Sequence, residues 1–106
     1  MSRDKVLSFL GLAAKAGKVI SGEFMTAKAV KEGSAYLVII PLDASDNTKK
    51  KFRNMCDYYQ VPIHFYGDKT SLGNAIGKEF RASVGVIDQG FASGLIDKMV
   101  MESGRN

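Results

Sequence analysis

The chain has 106 residues, 45% apolar and 25% charged, which is room for one hydrophobic core and not for two domains. Fifteen Lys and Arg against eleven Asp and Glu leave a net charge of +4, a moderate excess that favours a polyanionic partner without demanding one. A single cysteine, Cys56, excludes an internal disulfide and a cysteine-rich zinc site and favours a reduced, cytoplasmic setting, and no stretch approaches the roughly 20 apolar residues of a membrane span.

In chain order, Val6, Leu7, Leu10, Ala13 and Ala14 recur at helical spacing, so a first helix is expected from Arg3 to Ala16, with Gly17 as its stop. Asp4 ahead of this apolar run is not the pattern of a secretory leader. Val19-Ile20 is a short strand. A second helix then runs to Gly33, with Ser21 as the expected N-cap and Gly22 offering bare backbone. Steps of 100° per residue put Thr26, Ala29 and Val30 on one side of this helix, and Phe24, Lys28 and Lys31 on the other. A helix start has unpaired N–H groups and partial positive charge, so lysines beside it suit an anion. An ordinary helix with a solvated basic face fits the same residues.

Ala35 to Pro41 (AYLVIIP) is an unbroken apolar run rich in β-branched residues, the signature of a strand covered on both faces. After a polar turn from Asp43 to Asn47, Ser45 or Asp46 can cap a helix from Asp46 to Tyr59. That helix groups Phe52, Met55, Cys56 and Tyr59 on one face and leaves Lys49, Lys50 and Arg53 largely outside it. A strand over Val61–Tyr66 follows. Asp68 can cap a short helix from Lys69 to Ile76 that stops at Gly77. Ala82 to Asp88 is the last strand, Phe91 to Met101 the last helix, and the polar tail from Glu102 to Asn106 is expected to fray. Helices alternating with strands, without linker or repeat, predict a three-layer α-β-α sandwich around a mixed sheet of about four strands.

Catalytic readings find little support. Gly11 to Lys18 has five residues between its glycines where a phosphate loop has four, and Val19 stands where that motif needs Ser or Thr. Asp43 lacks the acidic companions of a phospho-accepting aspartate and reads as a turn residue. His64 has no second histidine, Cys56 falls on an apolar helix face, and no nucleophile–base set is spaced for chemistry. No enzyme activity, cofactor or metal is therefore expected. The run Lys49-Lys50-Lys51 with Arg53 reads as a solvated helix face. The loop Gly77 to Arg81 (GKEFR) offers cations in Lys78 and Arg81 and an aromatic ring in Phe80.

Taken together, GEFMTAKAVKEGSAYLV (22–38), DASDNTKKKF (43–52), SLGNAIGKEFRASVGVID (71–88) and DQGFASGLIDKM (88–99) carry a resemblance. The chain resembles the kink-turn RNA-binding ribosomal proteins of the L-seven-Ae and L-thirty-e type, and most of all their bacterial YlxQ-like branch. The resemblance covers roughly Lys5 to Met99 and implies a single RNA-binding domain over residues 1–106. It also implies a partner: structured RNA with a sharp internal kink flanked by sheared G·A pairs, ribosomal RNA among the candidates. The helix start would enter the widened groove with Gly22, Glu23, Phe24, Met25 and Lys28, and Lys31 follows on the same basic face. The loop Lys78, Glu79, Phe80 and Arg81 would hold the extruded nucleotide. Archaeal members have an Asn-Glu pair where this chain has Phe24-Met25, so apolar contact replaces hydrogen bonding to base edges there. An apolar pair at that place also admits a protein–protein interaction module on the same fold.

Overall fold

The computed structural model describes residues 4–103. Nine elements follow one another: α1 (Lys5–Lys15), β1 (Val19–Ser21), α2 (Glu23–Glu32), β2 (Leu37–Ile40), α3 (Asp46–Tyr59), β3 (Ile63–Phe65), α4 (Lys69–Ala75), β4 (Val84–Val86) and α5 (Gln89–Ser103). The strands form one mixed sheet in the order β1-β4-β2-β3, with β2 parallel to β3 and β4 antiparallel to both β1 and β2. Arg3, expected to open the first helix, and Gly104 to Asn106 of the expected fraying tail lie outside the described residues. Glu102 and Ser103 continue α5.

The unbroken apolar run becomes β2, and alternation along it divides the core in two. Leu37 and Ile39 point into a cluster with Val6 and Leu10 of α1, Leu72 of α4 and Leu95 of α5. Val38 and Ile40 point the other way, towards Val30 of α2 and Phe52 and Cys56 of α3. All four β2 side chains are fully buried, each contributing roughly 1.5–3 kcal/mol. Helices α1, α4 and α5 thus cover one face and α2 and α3 the other, which is the expected three-layer sandwich.

Strands β3 and β4 are shorter than the sequence suggests, three residues each, whereas β1 runs one residue past the expected Val19-Ile20 to Ser21. Helix α5 starts two residues earlier than expected because Asp88 serves as its cap: its Oδ2 accepts from Phe91 N at 2.9 Å. The expected N-cap of α2 is corrected. Ser21 is the last residue of β1, paired with Val84, and Gly22 takes the cap position with no side-chain hydrogen bond. Strand pairing aims the Ser21 side chain away from the helix it was expected to cap.

Candidate nucleic-acid interface

Gly22 is the pivot between β1 and α2. Its φ of 94° and ψ of 154° lie in a region that only glycine occupies without strain. Its N–H donates to Ser83 O at 3.0 Å, while its carbonyl accepts from Thr26 N and starts the helical ladder. Among the described residues no side chain caps the helix, so the first-turn N–H groups of α2 are left open at the positive end of the helix dipole. Glycine at position 85 of β4 makes room for the Ile20 side chain of β1, because a Cβ there would meet Ile20 Cδ1 at 2.7 Å.

The loop after α4 is held just as closely. A Cβ on Gly73 would stand 2.5 Å from Phe80 Cα and 2.7 Å from Phe80 N, so the loop backbone rests directly on α4. Lys78 N donates to Gly73 O at 2.8 Å, and Arg81 N donates to Lys69 O at 3.0 Å. The two segments then meet. Arg81 Nε donates to Ser21 Oγ at 2.9 Å, and its Nη1 donates to Phe80 O at 2.8 Å. Stretches some 60 residues apart are thereby tied into one edge.

Around this edge, Phe24 is 76% exposed, Phe80 56% and Met25 45%. Phe24 and Met25 are consecutive residues in the first turn of α2, so their exposed side chains stand beside the helix start. Phe24 lines a shallow depression with Ala27, Lys28 and Lys31. Met25 lines a second one with Lys28, Glu32 and Ile87. Lys28 therefore stands between the two apolar side chains, its Nζ 3.7 Å from Glu32 Oε2 one turn on. Lys31, Lys78 and Glu79 are exposed, and Arg81 is half-buried by its bonds to Ser21 and Phe80. Glu23 is engaged by Lys51 of α3 in an ion pair between the two helices. Of the ten expected site residues, Gly22 is the N-cap of α2, five lie on α2 and four on the loop after α4, and the Arg81–Ser21 bond ties that loop to the strand end leading into α2.

The comparisons bear on this arrangement. The family described as ribosomal protein L7Ae/L30e/S12e/Gadd45 matches residues 4–96. The chain belongs to this family. It is similar to the RNA-binding protein YlxQ of Bacillus subtilis (strain 168), 46% identical over 96 residues, spanning 91% of this chain and 96% of that protein. It is also similar to the RNA-binding protein YlxQ of Enterococcus faecium, 38% identical over 86% of this chain and 87% of that one. A solved structure of a protein with unknown function from Bacillus halodurans C superposes with a TM-score of 0.90 at 43% identity, covering 92% of this chain and 99% of that one. The Giardia lamblia 15.5kD RNA binding protein shares the fold, with a TM-score of 0.75 at 21% identity over 96% and 90% of the two chains.

Within this family member, sequence reasoning missed three participants. Ser21 holds Arg81 instead of capping α2. Lys51 reaches the first residue of α2; its signal was the lysine run, but direction on a helix face is settled only by the neighbour it packs against. Ser83 receives Gly22 N through its carbonyl, while its hydroxyl and that of Thr26 are buried without a partner among the described residues. The side chains weighed for chemistry take structural places. Cys56 is buried beside Phe52, and burial pushes its thiol up to about 11. Asp43 Oδ1 accepts from Lys69 N at 2.9 Å and so helps to start α4. His64 lies in β3 opposite Ile39. Among the described residues no helix is long and apolar enough to cross a membrane.

Proposed function

We propose that this protein is a non-enzymatic, single-domain RNA-binding protein of the cytoplasm that recognises or stabilises a kink-turn in ribosomal or other structured RNA. The observation that carries the reading is one edge of the sandwich where the uncapped start of α2 meets the Gly77–Arg81 loop through Arg81 and Ser21. The names of the two curated relatives point the same way.

The mechanism follows from the parts. A sharp bend crowds phosphates, and the open N–H groups of α2 with Lys28 offset that repulsion. Phe24 and Met25 pack on bases or sugars in the opened groove, contributing contact area without reading base edges by hydrogen bonds. Phe80 covers an unstacked base, where stacking on an aromatic ring is worth about 1–3 kcal/mol. Lys78 and Arg81 hold the adjoining phosphates. Because only the bent RNA fits this edge, binding shifts the RNA population towards the bent form. Phosphate contacts position the protein, so affinity falls with added salt.

A gel-shift titration of wild type and Lys28→Ala on a kink-turn duplex tests the site. The variant is expected to bind several-fold more weakly, with a salt slope smaller by roughly one unit. Equal binding by both proteins removes α2 from the interface.

The exposure of Phe24 and Met25 also favours a second reading, in which the same edge docks a protein. Pull-downs with and without nuclease separate the two: complexes bridged by RNA dissolve, and direct protein complexes persist.

A further inference from the structure

Among the described residues there are two ion pairs, and they differ in kind. Lys28–Glu32 lies within one helix turn, whereas Lys51–Glu23 joins α3 to the first residue of α2. The second pair contributes little as a staple, because both side chains remain about half exposed, at 46% and 55%, and exposed pairs are weak. Its position is more telling. The Lys51 ammonium is held by the side chain of the first residue of α2. Glu23 puts a carboxylate in the first turn of α2, and unneutralised it would repel a phosphate arriving at the helix start. Neighbours in the run do not share the arrangement, since successive helix residues turn away by about 100° each.

Resting on the RNA-binding reading above, we propose that Lys51 contacts RNA phosphate from α3, and that Glu23 is the stand-in that holds its ammonium at the α2 start until phosphate replaces it. The exchange keeps one charge-assisted hydrogen bond on the ammonium throughout. The side chain is already ordered by Glu23, so less freedom is lost on binding. The freed carboxylate then faces the RNA, so Glu23 opposes binding while its partner supports it. The two halves of one ion pair therefore have opposite effects on affinity. A pair that only braced α2 against α3 would show the same sign for both. The contact surface grows from α2 and the loop to include the second helix of the same layer.

The test is a salt-dependent binding titration on a kink-turn duplex with wild type, Lys51→Ala, Glu23→Gln, the double variant and Lys98→Ala. Lys98 sits on α5, in the helix layer on the other face of the sheet, and its removal costs the same net charge. Lys51→Ala is expected to bind roughly threefold to tenfold more weakly with a salt slope smaller by about one. Glu23→Gln is expected to bind tighter, and Lys51→Ala to lose as much in that background as alone. Thermal unfolding of each variant within a few degrees of wild type shows that affinity, not folding, has changed. If Lys51→Ala is silent in the Glu23→Gln background, the lysine merely neutralises Glu23 and the proposal is overturned. A loss in Lys98→Ala equal to that in Lys51→Ala overturns it as a general charge effect. Wild-type binding that responds to Lys28 but to neither member of the pair overturns this inference alone, whereas no wild-type binding overturns it together with the functional reading.

Discussion

Two helix starts border the same edge and are built in opposite ways. At α4, the Asp68 side chain accepts from Ser71 N at 2.7 Å, and Ser71 Oγ accepts in return from Asp68 N at 3.0 Å. Asp43 takes the N–H of Lys69. This capping box satisfies the helix start from within the protein. At α2 the cap is Gly22, which has no side chain to offer, and among the described residues no side chain caps the first-turn donors. Asp4 and Ser45 cap α1 and α3 in the ordinary way. A helix start that is satisfied internally has nothing left for a ligand; one left open by a glycine costs some stability and keeps its donors for an external acceptor. The closed start at α4 supports the loop, and the open start at α2 receives what the loop helps to hold.

The sharpest way to break this contrast is to give α2 the cap of α4. Gly22→Asp puts a carboxylate on the open amides and forces a side chain into a glycine-only conformation, costing about 1–3 kcal/mol. RNA affinity in a gel shift is expected to fall tenfold or more, and the unfolding midpoint to drop. The reverse change, Asp68→Ala, opens α4. It is expected to cost about 1 kcal/mol by urea or thermal unfolding, with a smaller loss of RNA affinity than Gly22→Asp. The α1 start provides a milder comparison. Asp4 caps it through Oδ1, and Oδ2 accepts from the Tyr66 hydroxyl at 2.7 Å. Burial, that bond to Asp4 and the nearby negative charge hold the Tyr66 pKa well above its usual 10. The unfolded chain therefore releases this proton first as pH rises past about 10, and the folded state loses stability there. Tyr66→Phe is expected to flatten that part of an alkaline unfolding series and to leave the region near neutrality less affected.

Much of the framework was legible in the residues. The run Leu37–Ile40 announced a strand buried on both faces, and its alternation separates the two core clusters. Ser45 and Asp68 marked their helix starts because a cap acts within three residues of its own chain. Ser21 looked like a third example and was not. Its hydroxyl faces a local choice between the helix amides and Arg81, which comes from 60 residues away, and strand pairing with Val84 decides for Arg81. The same limit applies to the lysine run of α3, where only the packing of α3 on α2 selects Lys51 to reach Glu23.

The sequence by itself determined the order of helices and strands, the strand at the centre, the caps of α3 and α4 as local chemistry, and the motifs that carry the family resemblance. These depend on periodicity and on contacts a few residues long. The tertiary structure decided that the α2 start is open, that the loop after α4 adjoins it, and which charges meet across the layer. Those outcomes depend on the close approach of the loop backbone at Gly73 and on hydrogen bonds between distant segments. At Gly22 the two levels meet: the glycine is visible in the sequence, and only the fold makes it the place where a helix begins without a cap.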